Sequence, residues 1–218
     1  MRSTGPVVVT AAIALLSAVA CNSRDADTDH KDESGLIAFV GRRLSVQPAK
    51  VELKRNEIPF DGKYLVRAEV LELVFGHYAG KEMEFESYVH TGEPAFGKHE
   101  FGLVYVSKHD GSLIHEKYLF QPVHRTSDGR WASCGDPYEG MDVHRHGVKA
   151  VPIAFNPPVE FDVRKGAEAN GFRSFQSPFF RIEGNTATCL MGNYPRELFQ
   201  VMAEGFLEAR GIVVQVPK

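Results

Sequence analysis

The segment 142–146 (DVHRH) places three side chains that can bind a metal ion at alternate positions. Alternate residues of an extended strand point to the same face, so Asp142, His144 and His146 would converge there. Carboxylate and imidazole groups are common ligands of zinc and other transition metals. The segment therefore predicts a metal site, which would make the protein a metal-binding protein or a metal-dependent hydrolase. The same residues are also compatible with a solvated polar loop.

The rest of the chain offers no strong motif for catalysis. It contains no Gly-x-Ser-x-Gly elbow, no Ser-x-x-Lys and no phosphate loop ending in Gly-Lys-Ser/Thr. A thiol nucleophile is conceivable at Cys134, in the turn ASCGDPY, but a disulfide is the favoured interpretation. Glu82, Glu84 and Glu86 alternate with apolar residues, as on the outer face of a strand. We therefore expect a protein without enzymatic activity and without a cofactor.

Several aromatic residues and histidines are open to two interpretations. Tyr118, Phe120 and Trp131 could form a platform on which a ligand stacks, or they could pack into the core. Most of the histidines outside the metal-site segment are interpreted as single surface or turn residues: His30, His77, His90, His99, His109, His115 and His124. The formal charge of -3, from 25 basic and 28 acidic residues, lacks the basic footprint of a nucleic-acid-binding protein.

The N-terminal segment predicts an export signal. One basic residue, Arg2, precedes an uncharged run of 14 residues from Val7 to Ala20. That run is shorter than the roughly 20 residues needed to span a bilayer and is typical of the hydrophobic region of a signal peptide. The run ends in the sequence AVAC, which resembles the lipobox of bacterial lipoproteins and implies that residues 1–20 are a cleaved signal peptide.

The lipobox resemblance implies that Cys21 becomes the first residue of the mature protein and carries a diacylglyceryl thioether and an N-acyl chain such as palmitate. Two or more acyl chains hold a protein stably on a bilayer. In lipoproteins of enterobacterial type, Asp after the cysteine retains the protein in the inner membrane. Asn22 stands there instead, which favours the periplasmic face of the outer membrane.

Residues 21–35 are expected to form the acylated cysteine and a flexible acidic tether, since this segment carries no large apolar side chain. Once Cys21 carries lipid, two cysteines remain. Cys134 and Cys189 are then expected to form a disulfide in an oxidising periplasm, closing a loop of about 55 residues and contributing roughly 4 kcal/mol. Two separate buried thiols are the alternative. Such a bridge favours a single domain over residues 36–218.

The periodicity of the body predicts strands. Apolar residues from residue 36 onward recur mainly with a period of two. The apolar parity changes between Val70 and Leu71, which predicts a β-bulge there, and Asp110-Gly111 predicts a hairpin turn. Besides the strand that contains this bulge, strands are predicted over residues 36–46, 101–106, 113–120, 148–155, 159–163, 179–182 and 212–216.

One helix is predicted over residues 195–210. Pro195 suits the first turn of a helix, the apolar residues that follow are spaced for one face, and Gly211 suits the end. The fold class is therefore mostly β (α+β), with a C-terminal helix.

Three segments of the body resemble the strand pattern of TIMP-like (netrin-type) OB-fold domains of exported bacterial proteins: residues 38–46 (AFVGRRLSV), 64–88 and 101–113. The resemblance covers about residues 36–135 and implies an OB-like β-barrel, followed by a C-terminal extension over residues 136–218. Family members that inhibit metalloproteases use a free N-terminal Cys-x-Cys to bind the catalytic zinc. Cys21 would be acylated and has no second cysteine close behind it, so the resemblance does not extend to that mechanism.

Taken together, these features predict a non-enzymatic binding or interaction module of the cell envelope. It would contact the bilayer through acyl chains and bind an envelope protein or a small ligand through its body, without a nucleic-acid partner. Two alternatives remain open. The first is the metal protein or hydrolase that uses Asp142, His144 and His146, and the second is an inhibitor of an envelope hydrolase that acts through a loop.

Overall fold

The computed structural model describes residues 35–51, 56, 58, 60–141, 147–165 and 174–214. Within these residues the chain is mostly β, with a five-stranded barrel and one helix near the C-terminus. The predicted fold class, a mostly-β body with a single C-terminal helix, is confirmed.

Five strands form the barrel: β1 (Leu36–Ala49), β2 (Gly62–Phe75), β3 (Glu82–Val89), β4 (Phe101–His109) and β5 (Ser112–Pro122). Their hydrogen-bonded order is β1-β2-β3-β5-β4, and β4 pairs with β1 to close the barrel. All these pairs are antiparallel except β3 and β5, which meet in parallel at Glu86 and Ile114. Closing the sheet leaves fewer open strand edges than a flat sheet of the same strands would have.

Local features of the barrel follow the sequence pattern. Val40 pairs with Glu72 and Gly41 pairs with Val70, so Leu71 is an extra residue on β2. The predicted bulge is confirmed, and it moves the apolar residues of β2 from one face to the other. The turn between β4 and β5 is also confirmed, because Asp110 and Gly111 both have positive φ, at 46° and 87°, as two-residue hairpin turns favour.

Strand β1 is buried on both faces over its first half. Ile37 and Phe39 point into the barrel, where they pack with residues of β2, β3 and β4. Leu36, Ala38 and Val40 point outward and pack under the C-terminal helix. A strand covered on both faces has no polar side, which explains the continuous apolar run at residues 36–40.

The C-terminal helix, α1 (Pro195–Met202), continues through a π-helical turn (Ala203–Leu207). Its N-terminus is capped by Glu197, whose carboxylate accepts the backbone N–H of Tyr194 at 3.0 Å. Its end is set by Gly211, because the N–H groups of Gly211 and Ile212 bond to the carbonyls of Glu208 and Leu207 at 2.9 Å each, a Schellman arrangement. The helix predicted over residues 195–210 is confirmed.

The described residues between the barrel and α1 form seven short strands: β6 (His124–Arg125), β7 (Trp131–Ala132), β8 (Val151–Pro152), β9 (Glu160–Asp162), β10 (Phe180–Glu183), β11 (Thr186–Cys189) and β12 (Met191–Gly192). A disulfide joins Cys134 to Cys189 across 55 residues, with Cα atoms 6.0 Å apart. Both cysteines lie in a buried apolar cluster with residues of β7, β10 and β11. The predicted disulfide is therefore present.

Two strand predictions are corrected. The strand predicted over residues 148–155 is reduced to β8, since Pro152 lacks the N–H group that would extend the ladder. Residues 212–214 of the predicted strand 212–216 belong to no strand, because Ile212 donates its N–H to the helix end instead. Residues 215–216 lie outside the described part of the chain.

Candidate functional site

Only some of the predicted site residues lie within the described part of the chain. The acylation site Cys21 and the predicted metal ligands Asp142, His144 and His146 lie outside the described residues. Among the residues that are described, no three His, Cys, Asp or Glu side chains are grouped as they would be around a metal ion. In the same residues, no helix is both long and apolar enough to cross a membrane.

The most unusual backbone feature of the barrel is a wide bulge in β5. Val106 pairs with His115 and Val104 pairs with Phe120, so residues 116–119 lie opposite Tyr105 alone. At the tip of this bulge, Tyr118 has φ of 67° and is 64% exposed. The left-handed region costs an ordinary L-residue roughly 1–2 kcal/mol, and such strain persists only where surrounding contacts enforce it.

The first contact that enforces the bulge comes from His115, a buried residue at its base. Its Nε2 lies 2.9 Å from the Leu119 carbonyl, and its Nδ1 lies 3.2 Å from the Ser87 hydroxyl. A carbonyl only accepts hydrogen bonds, so Nε2 donates to Leu119 and Nδ1 accepts from Ser87. Burial lowers the pKa of His115 from 6.5 to about 4, which keeps the ring neutral near pH 7.

The Ser87–His115 pair is structural, not catalytic. A serine nucleophile needs access to its substrate, whereas Ser87 is fully buried in the barrel. The second ring nitrogen of His115 is occupied by the Leu119 carbonyl. The interpretation of His115 as a single surface or turn residue is wrong, because this strand turns the side chain inward against Phe96, with ring centroids 4.7 Å apart.

The second contact comes from the C-terminal end of the chain. Glu116 is buried and accepts hydrogen bonds from Ser107 Oγ at 2.5 Å and from Arg210 Nη1 at 3.2 Å. Arg210 Nη2 also donates to the Lys117 carbonyl at 2.7 Å. Arg210 lies just after the helix, so the C-terminal segment clamps the backbone of the bulge.

The third contact comes from the end of the β1–β2 connection. Lys117 Nζ lies 2.7 Å from both carboxylate oxygens of Asp61 and 5.3 Å from the centre of the Tyr118 ring. Asp61 Oδ1 lies 3.8 Å from His90 Nδ1. The hydrogen bond to Asp61 raises the pKa of Lys117, so the side chain remains charged at neutral pH.

A second exposed ring lies next to this ion pair. Phe60 is 79% exposed and stacks on His90, with ring centroids 4.5 Å apart and an angle of 24° between the planes. His90 Nδ1 also lies 2.8 Å from the Phe60 carbonyl. We call Phe60, Asp61, His90, Lys117 and Tyr118 the aromatic surface. It is a continuous set of contacts that ends in an exposed ring on each side.

The aromatic surface is not the platform considered from the sequence. Of those three residues, only Tyr118 is exposed. Phe120 is half-buried and packs against Phe96 at 5.0 Å, and Trp131 is buried and packs against Phe101 at 4.7 Å. Tyr118 therefore lies at the surface, as a ligand platform requires, whereas Phe120 and Trp131 pack against other rings of the core.

Two of the concave regions on the described part of the barrel lie beside the aromatic surface or beside α1. One of about 400 Å³ adjoins the aromatic surface and is lined by Pro48, Ala49, Val51, Phe60, Asp61, Gly62, Lys63, Tyr64 and His90. The other, of about 350 Å³, lies between the end of β2 and α1, over the stacked rings of Phe75 and Phe199. The carboxylate of Glu197 in the second region is engaged in capping the helix. The first region adjoins the exposed ring of Phe60 and is also lined by the polar side chains of Asp61, Lys63, Tyr64 and His90.

Comparison of the chain with family models, curated proteins and solved structures finds no match. The site must therefore be interpreted from its own chemistry. Two exposed rings, a balanced ion pair and an adjoining cavity can bind a ligand by stacking and hydrogen bonding. Among the described residues of this surface, no accessible nucleophile lies beside a base.

Proposed function

We propose that the protein is a lipid-anchored protein of the bacterial cell envelope whose OB-like barrel is a non-enzymatic binding module, and that it binds through the aromatic surface. The strained, exposed Tyr118 carries this proposal. A large aromatic side chain at positive φ is disfavoured, yet contacts from three parts of the chain hold it there. Strain of this kind concentrates where a residue serves a function.

Other observations support the proposal. A closed five-stranded barrel with the order β1-β2-β3-β5-β4 favours the OB-like assignment, since OB-folds are five-stranded barrels that bind ligands on one face and its loops. Exposed tyrosine and phenylalanine are also enriched in binding surfaces. The lipobox resemblance around Cys21 supports anchoring in the envelope, with the periplasmic face of the outer membrane as the proposed location.

The binding role can be tested by photocrosslinking in cells. Tyr118 is replaced by a photoreactive phenylalanine analogue in the full-length protein, and Ile182, which is 52% exposed on β10, serves as the matched control position. We expect an adduct at Tyr118 and none at Ile182, with its mass resolved into peptide or glycan by protease and glycosidase digestion. Equal labelling at the two positions, or none at either, would overturn the proposal.

A stability measurement separates a binding role from a structural one. Asn tolerates positive φ better than Tyr does, so Tyr118→Asn should leave the free energy of unfolding unchanged or raise it by about 1 kcal/mol. The same substitution should abolish partner capture by a crosslinker placed at Lys63 in the adjoining cavity. If Tyr118→Asn instead destabilises the protein and leaves capture intact, the tyrosine is structural.

The anchoring is tested separately. Cys21→Ser should move the protein from the membrane fraction to the soluble fraction, and the mass of the wild-type protein should equal residues 21–218 plus acyl chains. A soluble wild-type protein, or a membrane-bound Cys21→Ser variant, would contradict the lipid anchor. The predicted metal site at Asp142, His144 and His146 stays a prediction, and metal analysis of the same preparation tests it.

A further inference from the structure

We propose that the aromatic surface binds a neutral sugar residue of an envelope glycan, stacked on the free face of Phe60. The inference rests on the binding function proposed above and names the ligand class of the same surface. It depends on three properties of that surface: one ring held flat, hydroxyl-binding groups beside it and a balance of charge.

The ring of Phe60 is held in place before any ligand arrives. One face stacks on His90 at 4.5 Å, and the backbone of Phe60 is bound to the same imidazole at 2.8 Å. Phe60 nevertheless remains 79% exposed. A ring that is already ordered loses little conformational entropy on binding. Its open face suits a flat, weakly polar partner, such as the C–H face of a pyranose.

The polar groups beside the ring suit hydroxyl groups. Asp61 and Lys117 bond to each other, but a carboxylate accepts about four hydrogen bonds and an ammonium donates three. Each therefore keeps capacity for a sugar hydroxyl, as donor or acceptor. Tyr118 lies on the other side of this ion pair, with its ring 5.3 Å from Lys117 Nζ, where it can contact a second sugar residue.

The charges of the surface are balanced. Lys117 pairs with Asp61 at 2.7 Å, and Lys63, which lines the adjoining cavity, pairs with Glu86 at 2.5 Å. A nucleic acid or another polyanion would need a surplus of basic groups, which these pairs do not provide. Charge complementarity therefore favours a ligand without net charge.

The size of the adjoining cavity favours a small ligand unit. Its volume of about 400 Å³ lies within the range of small-molecule sites, which is roughly 300–1,000 Å³. A stable protein interface buries about 800 Å² on each partner around an apolar centre. The rings of Phe60 and Tyr118, separated by an ion pair, do not form such a centre, and a sugar ring fits the cavity better.

The inference is tested with the full-length mature protein, extracted in a zwitterionic detergent that contains no sugar. Chitotetraose, cellotetraose and maltotetraose are titrated separately and followed by NMR and by calorimetry. We expect at least one of the three to bind. Phe60→Ala should weaken that binding about tenfold or more, whereas Phe60→Tyr should preserve it, and Ile182→Ala is the surface control. Unchanged melting temperatures establish that each variant is folded.

Binding that is equal in the wild type and in Phe60→Ala would overturn the inference, as would no binding of any of the three glycans. The photocrosslinking at Tyr118 separates this failure from failure of the proposed function. If Tyr118 crosslinks a protein while the glycans do not bind, the sugar inference is wrong and the binding role stands. If neither adduct nor glycan binding is found, both are wrong.

Discussion

Acid should destabilise this protein because His115 is protonated more easily in the unfolded chain than in the folded one. Burial lowers the pKa of His115 in the folded state to about 4, against 6.5 for an unperturbed histidine. Between these two values the unfolded chain binds a proton that the folded chain does not, so the free energy of unfolding decreases as the pH falls from 6.5 to 4. At about 1.4 kcal/mol for each pH unit, the difference corresponds to roughly 3 kcal/mol.

The surroundings of His115 explain why its protonation is unfavourable. Burial among aromatic rings lowers its pKa most, and the positive charge of Arg210 lowers it further. The hydrogen bond from Nε2 to the Leu119 carbonyl acts in the opposite direction but does not offset them. Nδ1 accepts from the Ser87 hydroxyl, which it can do only while it is unprotonated. The acidic residues with the lowest pKa values, Asp128 and Asp162 at about 2, release their stabilisation only below pH 3.8. They therefore act outside the pH range assigned to His115.

The assay is urea unfolding between pH 7 and pH 4.5, followed by the fluorescence of Trp131, the single tryptophan of the chain. The wild type should lose most of the roughly 3 kcal/mol over this range. His115→Gln should be less stable at pH 7 but should lose much less on acidification. His109→Gln, at the exposed end of β4, should behave as the wild type. Parallel pH profiles for the wild type and His115→Gln would refute the reasoning.

Three further variants test other parts of the structure by urea unfolding. Replacing Cys134 and Cys189 together by Ser should cost about 4 kcal/mol, since the bridge closes a 55-residue loop, and reduction of the wild type should reproduce the loss. Gly192→Ala should cost about 3 kcal/mol or more, because a Cβ there would meet the Ser133 carbonyl oxygen at 1.9 Å; a neutral result would contradict this close packing. Arg210→Met should cost about 2 kcal/mol, because it leaves a buried carboxylate short of a partner; an unchanged stability would mean that the bulge does not need this clamp.

Much of the fold can be predicted from the sequence because local backbone preferences and tertiary packing favour the same structure. The parity change at Val70 and Leu71 predicts a bulge, and the bulge lies where the apolar residues of β2 pass from the barrel interior to the cluster under the helix. Pro195 and Gly211 mark the helix because backbone chemistry alone limits where they can stand. The pairing of Cys134 with Cys189 follows once Cys21 is assigned to lipid.

The candidate site was less predictable because strand pairing and tertiary packing bring together residues that lie far apart in the sequence. His115 is separated from Ser87 by 28 residues, and Glu116 is separated from Arg210 by 94 residues, so no local pattern joins them. One signal was available in β5. Leu113 and Phe120 are both apolar but differ in odd and even numbering, and charged residues lie between them. In a regular strand they would point to opposite faces, so this pattern is typical of a bulge.

The identity of the residue at the tip of the bulge distinguishes a structural device from a binding one. A bulge in β5 could serve only to curve the barrel, and in that case Gly or Asn at position 118 would serve better, because both accept positive φ. Tyr118 instead adds strain and exposes an aromatic ring, and neither contributes to closing the barrel. Curvature therefore explains the bulge but not the tyrosine. What the tyrosine supplies is an exposed ring beside Lys117 that a ligand can contact.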